Sequence, residues 1–269
     1  MSKDFPHVWL EAINDILTNG EEVAPRGQPT KEILQRTIEV DMRRPVLTIP
    51  QRKLSYKFMA AEAYWILTGD NRVETIAPYN KNISQFSDDG ETFFGAYGPK
   101  ILSQMDYVVK KLIADPDSRQ AGLTIWRECP PETKDVPCTV AIFFSIRNGL
   151  LNCNIFMRSS DVWLGVPYDV FNFSMLSHMV CCLLNSNEIK VRPGTLYLTA
   201  ASSHLYERNF EVARECLTAE ILEQAPTPEI LYTSGEQFAE WIRDLRETKP
   251  GESFLRWWEV SEHKTQWEK

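Results

Sequence analysis

The sequence predicts an α+β fold built on a mixed sheet, and three observations carry that reading. Strand-like runs (121–126, 139–147, 151–158, 195–199) and runs of helical spacing (7–17, 54–67, 101–113, 171–184) both occur, but they do not alternate strictly as a purely parallel α/β sheet requires. Asn148-Gly149 stands between Ser145-Ile146-Arg147 and Leu150-Leu151-Asn152, a type I′ hairpin signal, because both residues tolerate positive φ. No Ser/Gly-rich linker, internal repeat or low-complexity stretch divides the 269 residues, so 1–269 read as a single domain.

In chain order, residues 7–17 carry apolar positions at helical spacing and Gly20 ends the helix. Residues 21–30 read as a loop containing Arg26, and 47–50 as a short strand. The helix expected at 54–67 has an apolar face of Phe58, Ala61 and Trp65, and Glu62 lies inside that face. An ionised carboxylate there is expensive without a partner. Residues 73–98 are less regular, and their SDDGETFFGAYG segment is turn-rich around Tyr97. A helix at 101–113 closes at Asp115-Pro116, ahead of Arg119.

Cys138 opens the strand at 139–147. The returning strand delivers Arg158, Ser159 and Asp161 together, and a guanidinium fork beside a hydroxyl suits a phosphate. Gly165 and Pro167 turn the chain, Asp169 follows, and the apolar run at 171–184 is long enough for a buried helix. A strand at 195–199 and a helix at 205–216 come next, with a further amphipathic helix at 235–247. On spacing alone, an edge hairpin with solvated charges is the preferred account of the central segment.

A net charge of −8 and a pI near 5.2 give no general basic field for nucleic acid, while a small anionic substrate held by a few arginines stays compatible. The first residues lack the basic and apolar segments of a secretory signal, and no apolar run is long enough for a membrane span. Six scattered cysteines without a CxxC pair suggest neither a zinc site nor a disulfide framework. A cytoplasmic setting is expected.

Several motifs together resemble the thymidylate synthase family, which includes the pyrimidine hydroxymethylases of bacteriophages and of some antibiotic pathways. MRSSD with LG.PYD is the first; Glu62 in AAEAYWILTGD, Tyr97 in FGAYG, Arg119 in DPDSRQ, Cys138 in DVPCT and His204-Tyr206 in SSHLY follow the family's order. The match runs from about Arg26 to Tyr206. The resemblance implies a thymidylate synthase-like fold, a sheet-mediated homodimer and 5,10-methylenetetrahydrofolate as co-substrate, with no metal. It implies that Cys138 is the nucleophile at C6 of the pyrimidine, with its thiolate stabilised by Arg158, and that Tyr97 lies beside it. Glu62 is then the proton relay; Arg26, Arg158 and Ser159 bind phosphate, and Arg119 reaches across the two-fold to the partner's nucleotide. His204 and Tyr206 hold the sugar 3′-hydroxyl, near a helix start, and Asp161 and Gly165 occupy pterin-binding positions.

Departures from the synthase pattern give finer expectations. Ile83 aligns with a tryptophan that packs between folate and nucleotide, Thr139 with a histidine, Gln120 with a second phosphate-binding arginine, and the end SEHKTQWEK is polar where synthases have an apolar seal. A wetter site favours water capture, hence hydroxymethylation. Asp169 stands where synthases have asparagine, and a carboxylate accepts from the N4 amino group of cytosine. The expectation is therefore a deoxycytidylate 5-hydroxymethyltransferase. The alternatives are a dUMP hydroxymethylase, a thymidylate synthase, a cytidylate methylase, a CMP hydroxymethylase, or a non-catalytic nucleotide-binding protein.

Overall fold

The computed structural model describes residues 4–222. The helix expected at 235–247 and the polar end of the chain lie outside the described residues. Seven strands form one mixed sheet in the order β1 (Glu21–Val23), β2 (Thr30–Asp41), β7 (Arg192–Tyr206), β5 (Leu150–Met157), β4 (Thr139–Arg147), β3 (Gly122–Thr124), with β6 (Ser160–Asp161) paired to β7 off this path. Pairing is antiparallel except where β7 runs parallel to β5 and β6. The α+β class is as the sequence predicts.

The β4–β5 hairpin forms as its sequence demands. Arg147 faces Leu150 across a two-residue turn in which Asn148 has φ 54° and Gly149 φ 72°. Along β5 the side chains of Leu151, Cys153, Ile155 and Met157 are buried, which sends Phe156 to the opposite face. Burying each of the large apolar members contributes roughly 1.5–3 kcal/mol. The other face of the sheet leaves Leu34, Phe143 and Phe156 exposed.

Helices cover the inner face. They are α1 (Phe5–Asn19), α2 (Tyr56–Leu67), α3 (Val73–Ile76), α4 (Tyr97–Ala114), α5 (Val166–Asn185) and α6 (Phe210–Cys216). Nearly every residue of α5 from Val170 to Cys182 is buried, so this helix is hydrophobic all round and runs through the core. Trp9 of α1 donates its indole N–H to the Val162 carbonyl at 2.6 Å, tying the turn before α5 to the first helix. At the start of α4, Gly98 meets the backbone of Ile66 and Asp70 so closely that a Cβ would lie 2.9 Å from the Ile66 oxygen; its lack of a side chain lets α4 dock against the end of α2.

Three expectations are corrected. Residues 47–50 form no strand; a bend at Val46 and an irregular stretch lead to the 3₁₀ turn that opens at Pro50, and Thr48 and Leu222 exchange hydrogen bonds. Residues 21–30 are not simply a loop, because β1 and the start of β2 form a hairpin around a 3₁₀ turn at Pro25–Gly27. The long strand β2 went unread: only Thr30, Ile38 and Val40 among its residues are buried, and Gln35, at φ 55°, interrupts the alternation. The helix expected at 205–216 begins at Phe210, since Leu205 and Tyr206 still pair with β2.

Candidate active site

The hairpin's return and the first turn of α5 converge on Cys138. The Arg158 backbone N–H donates to the Cys138 carbonyl at 2.9 Å, and its guanidinium donates to the carbonyls of Pro137 and Val136 at 3.0 and 2.9 Å. The arginine thus holds the segment that carries the cysteine. Burial pushes the Cys138 thiol above its ordinary pKa; the Arg158 charge and a hydrogen bond from Ser159 oppose this without overcoming it. Arg158 favours the thiolate, as the sequence leads one to expect, but desolvation outweighs it and the net shift is upward.

Tyr97 is the first residue of α4, and its hydroxyl accepts a hydrogen bond from the Thr139 N–H at 3.3 Å. Its ring stacks near Phe173 of α5 with centroids 6.1 Å apart. Burial and the neighbouring Asp169 and Cys138 push its hydroxyl pKa up, so Tyr97 remains a neutral phenol.

Glu62 points from α2 toward α5, where Asn172 donates from Nδ2 to its Oε2 at 2.7 Å. Glu62 keeps a little accessible surface, but its carboxyl is surrounded by protein, and burial raises its pKa to about 7 against the Asn172 hydrogen bond. Asp169, in the first turn of α5, is pushed well above the usual carboxylate range by burial, then by Glu62 and Asp161. Three carboxyl groups share one region, and burial together with the two neighbouring acids favours the protonated form of Asp169. Gly165 makes room for it, since a Cβ there would lie 3.2 Å from Asp169 Oδ2.

The raised Glu62 pKa has a consequence for stability. Between the unfolded value of 4.5 and about 7 the native state binds more protons than the unfolded state, so stability falls as pH rises through that window. Glu62→Gln removes the penalty. Urea denaturation is expected to show the variant matching wild type near pH 4.5 and exceeding it by about 2–3 kcal/mol at pH 8.

Asp161 Oδ1 accepts from the N–H groups of Trp163 and Leu164 at 2.8 and 2.9 Å, fixing the turn into α5 and leaving Oδ2 for a ligand. Asp161 pairs in register with His204 across β6 and β7; burial raises the acid and lowers the imidazole while each charge favours the other. His204 and Tyr206 therefore lie at the end of β7, directly before the 3₁₀ turn Glu207–Asn209 and the start of α6, near a helix start as expected. Their rings meet edge to face with centroids 5.3 Å apart. Arg26, at φ 55° in its turn, donates to the Tyr206 hydroxyl at 3.3 Å, and Arg208 lies 4.2 Å over the Tyr206 ring.

Two expected residues stand apart. Arg119 is exposed between α4 and β3, in a surface cleft with Lys111, Asp115, Ser118 and Gln120. Ile83 sits in the 3₁₀ turn Lys81–Phe86, partly buried against the core. Among the described residues no group of three or more His, Cys, Asp or Glu side chains could hold a metal ion, and no helix is long and apolar enough to cross a membrane. Sequence reading missed Asn172 and Arg208. Asn172 hid in an apolar run, although its place three residues after Asp169 put it on the same helix face.

This combination of sheet, hairpin and buried carboxyl cluster belongs to a known family: residues 7–246 match the family model of thymidylate synthase, and the chain is a member of that family. Among curated proteins it is similar to the deoxyuridylate hydroxymethyltransferase of Bacillus phage SP01, 30% identical in an alignment of 222 residues that covers 74% of this chain. The chain spans about half of that relative's length, 56%.

Proposed function

We propose that the protein is a folate-dependent 5-hydroxymethyltransferase of pyrimidine nucleoside monophosphates, acting on dCMP. The carrying observation is the buried Asp169 beside Glu62 in the first turn of α5, its pKa pushed well above the usual carboxylate range by burial and then by Glu62 and Asp161. In this reading Cys138 reacts as the thiolate: its sulfur bonds to C6 of cytosine, the C5=C6 electrons shift toward N3, and Asp169 gives N3 its proton. The resulting carboxylate then accepts from N3–H and the N4 amino group, so proton and charge balance within one pair. Tyr97 and Thr139 buttress the nucleophile. Arg158, Ser159 and Arg26 bind the phosphate, and His204 and Tyr206 the 3′-hydroxyl.

Methylenetetrahydrofolate supplies the one-carbon unit. The residues present fit it: Asp161 has an oxygen left for the pterin ring, and Gly165 presents bare backbone beside Asp169. Ile83, smaller than an indole, leaves room over the nucleotide. After the carrier departs, water adds to the methylene on C5, and Glu62 takes the water's proton; its pKa of about 7 suits both directions of transfer. The exposed apolar sheet face with Leu34, Phe143 and Phe156 supports a homodimer in which Arg119 of each subunit serves the other's nucleotide. One domain and a cytoplasmic setting complete the reading.

A specific observation favours a second substrate. A neutral carboxyl can also donate to O4 of uracil and accept from N3–H, so Asp169 suits dUMP, the nucleotide in the SP01 relative's name. An equal mixture of dCMP, dUMP and CMP, incubated with methylenetetrahydrofolate and analysed by mass spectrometry, separates the readings. Hydroxymethyl-dCMP as the main product is expected. Hydroxymethyl-dUMP would transfer the assignment to uracil, and a methylated product would overturn water capture.

A further inference from the structure

Asn172 is 3% exposed, and its two amide ends have different fates. Nδ2 is spent on Glu62, whereas Oδ1 is buried with no hydrogen-bond partner among the described residues. A buried carbonyl without a donor is unfavourable, and natural sites relieve it with ordered water or ligand. The neighbourhood is polar enough to hold such a water, since Asn172 shares its helix face with Asp169, one turn earlier, and faces Glu62 across the gap to α2.

We propose that Asn172 is a positioning residue that fixes the Glu62 carboxylate through Nδ2 and holds one water molecule through Oδ1. The water donates one hydrogen to the amide oxygen, which turns a lone pair outward and leaves its second hydrogen for Glu62. This inference rests on the hydroxymethylation reading and deepens it by naming the group that orients the attacking water. As the water oxygen bonds to the C5 methylene carbon, the methylene electrons return to the ring and the second proton passes to Glu62. The amide cannot change ends while Glu62 is ionised, because its oxygen would then face a carboxylate.

The groups facing Glu62 are Asp169 and Tyr168 from α5, together with Asn172 itself; Tyr97, from α4, acts on Asp169 and Cys138 instead. Losing the Nδ2 bond therefore leaves burial unopposed. The test uses protein carrying ¹³C-labelled Glu carboxyl groups, with the Glu62 resonance assigned by its loss in Glu62→Gln. In Asn172→Leu, the midpoint of Glu62 is expected to rise by about one pH unit above wild type. Hydroxymethyl product formation is expected to fall by roughly 10–100-fold, with nucleotide affinity unchanged. Asn172→Ser, whose hydroxyl can both donate to Glu62 and hold water, is expected to recover part of both effects and guards against a leucine variant that does not fold. An unmoved Glu62 midpoint in a folded Asn172→Leu protein overturns the proposal, and so does an Asn172→Ser protein whose product formation falls by the full roughly 10–100-fold. Failure of the wild type to turn over any pyrimidine monophosphate refutes the functional reading instead, and the titration still decides the role of Asn172.

Discussion

Cys138→Ala is expected to lower turnover by roughly 10⁴-fold or more while leaving the dissociation constant for nucleotide within a few-fold of wild type. The two effects separate because the residues read as nucleotide ligands are anchored without the thiol. Arg158 is held by the Pro137 and Val136 carbonyls, and Arg26 by the Tyr206 hydroxyl. Calorimetric nucleotide binding beside steady-state turnover measures both. Retained turnover would remove Cys138 as nucleophile. The elevated thiol pKa adds a pH signature: with burial and nearby carboxylates holding Cys138 protonated, wild-type kcat/KM is expected to rise with pH on the alkaline side of neutrality.

Asp169→Asn is expected to change the dCMP to dUMP ratio of kcat/KM by up to roughly 10⁴-fold in favour of dUMP, the scale reached by sites built around a specific hydrogen bond. An amide can bind either base by presenting its oxygen or its nitrogen, so affinity is not where the variant fails. It has no proton to give cytosine N3 as Cys138 adds, and no negative charge to stabilise the N3–H that results. Uracil already carries its N3 proton and needs only a donor at O4, which the amide supplies. The same logic predicts that turnover of both nucleotides falls as pH rises through the Asp169 pKa, dUMP because a carboxylate repels O4 and dCMP because Asp169 then has no proton to give N3. Competing turnover of the two nucleotides at a series of pH values reads both effects. An unchanged ratio in Asp169→Asn would show that residue 169 does not face the base.

The sheet was legible where local chemistry dictated it and illegible where only tertiary context did. Asn148-Gly149 announced its hairpin because only a few residues accept two successive positive φ values. Strand β2 was hidden because its ladder to β7 is held by backbone pairing while most of its side chains remain accessible, which erases alternation. Conversely, Leu47 and Ile49 are fully buried without belonging to a strand, an apolar signal produced by packing alone. At the site, residue identities followed from linked motifs, but their electrostatics did not. Nothing in the spacing of Glu62, Asp161 and Asp169 reveals that Asp169 is buried beside two other carboxyl groups, and burial first and those neighbours second raise its pKa. Asn172 was invisible for a related reason: a lone amide in a run of Phe, Ser and Met reads as helix interior until its partner on α2 is known.

The measurement that tests the central claim most directly is the intact mass of the protein, acid-quenched during turnover with dCMP and methylenetetrahydrofolate and followed by peptide mapping. Covalent catalysis predicts a fraction of the chains heavier by one nucleotide, with the added mass on the peptide containing Cys138 and absent from Cys138→Ala. Active enzyme that never carries that mass, or that carries it on another residue, would contradict the account.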